Sequence, residues 1–150
     1  MSFNETLYHY GAPFKDITLR FENGNVTEAS ASTNQAVLEE MLATDRGARR
    51  LGEFSLTDGR HSRITRFMAD TLYDENRGGE HGNFHVALGN AYKDSYTGDP
   101  STLKAADWRR LGFNESAVHT DIVSTSRRQV TAHLSNGRTK LIYADGRFRV

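Results

Sequence analysis

Short runs of strict apolar–polar alternation, punctuated by Asn-Gly and Asp-Gly pairs, restrict this chain more than any other feature. Ile17, Leu19 and Phe21 alternate with Thr18, Arg20 and Glu22, the two-residue period of a strand that is wet on one face. Asn23-Gly24 follows and suits a tight hairpin turn, because both residue types tolerate the left-handed backbone such a turn requires. A second strand is then expected around Val26. Asn136-Gly137 and Asp145-Gly146 mark further tight turns among strands expected over 118–123, 129–134 and 139–143. Strands are also expected over 51–56 and 84–88. Tight turns join antiparallel neighbours, so the sheet should be largely antiparallel.

Two segments carry a helical period instead. Ser32 and Gln35 have the spacing of a capping box, and Val37, Leu38, Met41 and Leu42 then form one apolar stripe, with Gly47 as a stop. A second amphipathic helix is expected on Ile64, Phe67, Met68 and Leu72, followed by a loop containing Gly78, Gly79 and Gly82. Trp108 and Leu111 should anchor a short helical turn. Hairpins with two main amphipathic helices make the expected class α+β, with residues 1–150 as a single domain.

Charge and composition exclude several functions. Lys plus Arg equals Asp plus Glu at 19 each, so no overall field attracts nucleic acid or anionic lipid. Arg46, Arg49 and Arg50, Arg109 and Arg110, and Arg127 and Arg128 form short, scattered clusters that suit a solvated surface. No apolar run approaches the ~20 residues of a membrane span. The opening MSFNETLYHYG lacks the plan of a secretion signal, and a cytoplasmic location is expected. With no cysteine, any metal must be held by His, Asp and Glu.

Three strands can do that. Alternation puts His119 and Asp121 on one face, with Val118, Thr120 and Ile122 on the other. In the strand of Phe84, Val86 and Leu88, His85 points away from the apolar set, and Glu53 points away from Phe54 and Leu56. Two imidazoles with several carboxylates suit zinc, cobalt or manganese better than an all-oxygen magnesium site. Half-exposed strands also carry polar residues with no function, so the pattern alone leaves both readings open. His9, His61, His81 and His133 fall in turns or on wet faces and are expected at the surface.

The strings ARRLGEFSL (48–56), DTLYDEN (70–76), FHVALGNAY (84–92) and SAVHTDIVS (116–124) occur in an order that resembles the C-terminal region of the thermophilic aminopeptidase family. FENGNV (21–26) and IYADGRF (142–148) extend the resemblance across the chain. It implies a metal-dependent aminopeptidase with a pair of divalent ions, a peptide substrate with a free N-terminus and a homodimer. Carried over by motif, it implies metal ligation by Glu53, Glu75, His85, His119 and Asp121, with Tyr92 catalytic and Glu75 either ligand or base. Glu53 is the expected bridge between the ions. Relatives of this kind carry an additional N-terminal domain and a further ligand glutamate ahead of the first hairpin, for which MSFNETLYHYG has no counterpart. The loop RGGEHGN (77–83) is also longer than in many of them. The expectation for the 150 residues is therefore a catalytic-site domain impaired on its own. A non-catalytic interaction or regulatory domain that keeps the same fold is the alternative.

Overall fold

The computed structural model describes residues 1–149. Eleven strands and three helices follow one another: β1 (Ser2–Phe3), β2 (Leu7–His9), β3 (Ala12–Phe14), β4 (Ile17–Glu22), β5 (Asn25–Ser30), α1 (Gln35–Leu42), β6 (Leu51–Thr57), α2 (Thr71–Asp74), β7 (Asn83–Gly89), α3 (Ala105–Arg110), β8 (His119–Ser124), β9 (Gln129–His133), β10 (Thr139–Ala144) and β11 (Arg147–Phe148). Every strand pair is antiparallel. The sheets run β1-β4-β5, β6-β7-β8 and β11-β10-β9, with β2 and β3 as a separate hairpin. The α+β class and its antiparallel character agree with the expectation. No helix is long and apolar enough to cross a membrane among the described residues.

The turn chemistry explains the hairpins. Asn23 and Gly24 have φ of 50° and 77°, and Asp145 and Gly146 have 52° and 72°, the paired left-handed conformations of a two-residue turn. Asn136-Gly137 makes a longer connection: the Leu134 N–H bonds Arg138 O and only Gly137 is left-handed. A fourth turn is signalled only by Gly11, with φ of 71°. Tyr10 takes φ of 49° before Gly11 and folds β2 onto β3, although an aromatic residue seldom adopts that conformation.

One core lies between the β4–β5 hairpin with α1 and the inner face of β6-β7-β8. Ile17, Leu19 and Val26 meet Leu38, Met41 and Leu42 of α1, and Phe84, Val86, Leu88 and Ile122 close it from the other side. Phe3 brings β1 into the same cluster, with its ring 5.4 Å from that of Phe84. The opposite face of β6-β7-β8 turns away from this core and carries His85, Asp121 and Glu53.

Two helical expectations need correction. The start of α1 is not a capping box: the Ser32 hydroxyl donates to Asp16, while Gln35 Oε1 accepts from the Ala31 N–H. The helix expected on Ile64 to Leu72 is reduced to the single turn of α2. Ala69 takes a left-handed φ of 55°, which no helix interior accommodates. The buried Asp74 carboxylate takes the N–H groups of Met68 and Asp70, at 2.7 and 3.1 Å, and Asp70 then caps α2 through Leu72 N–H. Side chain-to-backbone bonds thus outcompete the apolar period, and Phe67, Met68 and Leu72 remain exposed.

Candidate metal centre

Register places the polar groups. Glu53 of β6 lies opposite Ala87 of β7, which lies opposite Asp121 of β8. The two carboxylates flank a buried residue too small to fill the space between them. One position along, Ser55, His85 and Val123 share this face, and Gly89 pairs with His119 on its other side. The four strand residues singled out by alternation therefore meet on one face of one sheet.

Their distances are those of a ligand set. His85 Nε2 is 3.0 Å from Glu53 Oε1 and 3.9 Å from Asp121 Oδ1. His119 Nε2 is 3.5 Å from Asp121 Oδ2 and 3.8 Å from Glu53 Oε2. Glu75, which ends α2, joins from the side, so that Glu75, His85 and Asp121 form one group and Glu53, His119 and Asp121 a second, the donor atoms of each lying within 4.8 Å of one another. Asp121 belongs to both groups, whereas Glu53 faces both histidines.

The histidines supply the test of fit. His85 Nδ1 lies 2.9 Å from Glu75 O, and His119 Nδ1 lies 2.8 Å from Asn90 O. A carbonyl only accepts, so each Nδ1 carries the proton and donates it. In neutral imidazole Nε2 then holds a lone pair, and each lone pair faces carboxylate oxygens. Acceptor against acceptor is repulsive unless a cation or a proton lies between. An Nδ1–H bound to a backbone carbonyl with Nε2 free is the usual arrangement of a metal-ligating histidine. The residues present thus fit a divalent metal.

The carboxyl groups show the same need for positive charge. Burial, reinforced by repulsion from Asp121, pushes the Glu75 carboxyl above the usual carboxylate range. Burial does the same to Asp121, partly offset by His119 and His85. Cations between them would reverse both shifts.

Long-range bonds fix these side chains. The Asp45 carboxylate accepts from Ala117 N–H, the Ser116 hydroxyl, and the N–H groups of Gly47 and Ala48, tying the approach to β6 to that of β8. Asn114 bridges Gly47 O and Gly89 O. Gly89 has φ of 98°, and a Cβ there would meet Val118 O at 2.1 Å, so only glycine lets β7 pass β8 just before Asn90 turns its carbonyl to His119. Buried Asn83 donates to Arg77 O, holding the segment that presents Glu75.

Tyr92 lies against the rim, its ring centroid 4.2 Å from that of His119 and its side chain exposed. His61 and His133 are exposed as expected, and His81 serves through its carbonyl, which accepts from Tyr143. His9 is a correction. It is half-buried, with Nε2 3.3 Å from Thr120 Oγ1, and burial lowers its pKa against the pull of Asp121. Sequence reasoning missed it because a lone Gly11 marks the turn that folds β2 onto β3, and nothing in the residue pattern shows that this brings His9 to Thr120 of β8.

A family model described as thermophilic metalloprotease (M29) matches residues 1–148. Aminopeptidase T of Thermus aquaticus is 36% identical over 132 residues, covering 86% of this chain and 30% of its own length. Aminopeptidase AmpS of Bacillus subtilis is 28% identical over 149 residues, covering 97% of this chain and 35% of its own. The structure of wild-type AmpT from Thermus thermophilus superposes with a TM-score of 0.84 and 31% identity, over 100% of this chain and 36% of that one. The chain thus spans about a third of the length of the relatives it matches. With the sequence motifs, the fold and the donor set in agreement, the chain belongs to the thermophilic metalloprotease (M29) family.

Proposed function

We propose that this chain is the metal-site portion of an aminopeptidase that removes N-terminal residues from peptides with a pair of divalent ions. The observation that carries the reading is the pair of histidines, each with Nδ1 against a backbone carbonyl and Nε2 turned to carboxylates. Divalent metal held by these residues would supply an acidified water and polarisation of the scissile carbonyl. Glu53, His119 and Asp121 are one proposed donor group, and Glu75, His85 and Asp121 the other. Nitrogen and carboxylate donors favour zinc, cobalt or manganese.

The remaining roles follow from position. Asp121 would contribute to both donor groups, and Glu53 would steady both histidines. Glu75 is the residue to receive the proton released by the attacking water. Tyr92, a neutral phenol beside His119, is the proposed hydrogen-bond donor to the oxyanion of the substrate. A peptide's free amine would be drawn to the carboxylate-rich end of the site. We also propose self-association through β9-β10-β11, where Leu134, Leu141 and Phe148 are exposed. A strictly monomeric mass in light scattering at high concentration would remove that part.

Donor counting sets the expected activity. Two ions with four to five donors each need roughly 8–10 positions. Five side chains fill most of them, so one ion should bind well and the second weakly. The test is hydrolysis of a leucine amide with added zinc, cobalt or manganese, beside Thermus aminopeptidase T. A slow, metal-dependent rate far below that of the longer enzyme is expected. Equal rates would show that the donor set is complete as it stands, and no hydrolysis and no metal uptake with any of the three would overturn the reading.

A further inference from the structure

The arginines that look scattered in sequence are gathered by the fold. Arg46 and Arg50, from the connection between α1 and β6, and Arg109 of α3 line one cavity of about 640 Å³. None of the three has a carboxylate partner within ion-pair distance among the described residues, which is equally true of Arg63, Arg66 and Arg138; Arg46, Arg50 and Arg109 differ in lining one cavity together. The one carboxylate on the cavity wall, Glu115, is held by Lys93 at 2.9 Å, with Arg109 a weaker influence on it. Three cations therefore face a single anion that is already engaged.

This cavity adjoins the candidate metal centre. A second trough, also about 640 Å³, is lined by Glu53 and Tyr92 and shares Gly112 and Phe113 with the first. Arg50 stands three residues before Glu53 in the chain, a separation of roughly 10 Å at the ~3.3 Å per residue of an extended strand. The combined groove thus has an acidic end at Glu53, which stands beside Asp121 in the candidate metal centre, and a basic end with Arg46, Arg50 and Arg109. A short peptide has the matching pattern, an ammonium at one end and a carboxylate at the other. An extended di- or tripeptide has the matching length, again at ~3.3 Å per residue.

We propose that the cavity of Arg46, Arg50 and Arg109 receives the C-terminal carboxylate of short peptide substrates. The inference rests on the aminopeptidase reading for the orientation of the peptide, but not for the anion site itself. Guanidinium groups suit it because they bind carboxylates through paired, charge-assisted hydrogen bonds. It makes di- and tripeptides the substrate class favoured by this groove, since a longer chain carries its carboxylate beyond the arginines.

The experiment is a titration of the chain, without added metal, with Leu-Gly-Gly and with its C-terminal amide, followed by NMR shifts of the arginine side chains. The free acid should bind about tenfold more tightly than the amide, the effect of one strong charge-assisted contact. Inorganic phosphate should compete with the acid and leave the amide unaffected. The discrimination should vanish in the Arg50→Gln/Arg109→Gln variant, whose exposed sites leave the fold intact. It should survive in Glu53→Gln, which removes the carboxylate at the amine end of the groove and weakens acid and amide alike. Equal affinities for acid and amide in the unaltered chain, or discrimination that persists without the two arginines, would overturn the proposal. A chain that discriminates normally but takes up no metal would leave the arginine site standing and remove the aminopeptidase reading instead.

Discussion

Two regions deliver the candidate metal centre, and they are built by different physics. The β6-β7-β8 sheet supplies Glu53, His85, His119 and Asp121 through cross-strand register. The stretch from 58 to 76 supplies Glu75 through carboxylates that capture backbone N–H groups, with α2 as its only regular turn. In the sheet, each side chain's direction follows from its strand position, because pairing on a buried face forbids a one-residue slip. In the connecting stretch the backbone path depends on Asp58, Asp70 and Asp74, and the apolar residues are passengers.

The largest expected effect tests the sheet. Ile122 is fully buried on its inner face, and Ile122→Ala should cost about 3–4 kcal/mol of unfolding free energy in urea, in the usual range for such a cavity. A loss below ~1 kcal/mol would mean that the sheet is not the stabilising unit. Next is Asp74→Ala, which strands two N–H donors and should cost about 2 kcal/mol. Proteolysis should then begin within 61–76 while β7 amides stay protected from exchange. Uniform loss of protection would mean that the two regions fold as one.

A pH titration sharpens the boundary between site sheet and C-terminal sheet. The Arg60 guanidinium beside Asp58 holds its carboxyl well below the usual carboxylate range, and Phe148 N–H adds to this from β11. A lowered folded-state pKa gives stability that is complete above the unfolded value of about 3.9 and is lost as pH falls through it towards the folded one. Asp58→Asn should therefore reduce the acid dependence of stability between about pH 5 and 2. An unchanged acid limb would contradict the tie. The smallest effect is Leu72→Ala, expected within ~0.5 kcal/mol because Leu72 is 76% exposed. A loss near 2 kcal/mol would revive a packed helix there.

The same contrast explains what the sequence made legible. Alternation alone reached Glu53, His85, His119 and Asp121, because strand geometry converts spacing into direction. Glu75 and Tyr92, at a helix end and in a loop, came only from motif resemblance, since no period fixes their direction. The orientations of His85 and His119 depend on Glu75 O and Asn90 O, backbone groups that no residue type announces. His9 and the arginine cavity were hidden for a related reason: each is assembled by turns between segments that the sequence lists separately. The failed second helix shows the limit from the other side, with Ala69 in a left-handed conformation inside a good apolar period.

The central claim is that one sheet face holds divalent metal through His85, His119 and the carboxylates between them. Calorimetric titration of the chain with zinc, beside His85→Ala, His119→Ala and the double variant, tests it most directly. The unaltered chain should bind at least one zinc, each single variant should bind it more weakly, and the double variant should bind none at this face. Zinc binding by the double variant equal to that of the unaltered chain, or no zinc bound by the unaltered chain, would contradict it.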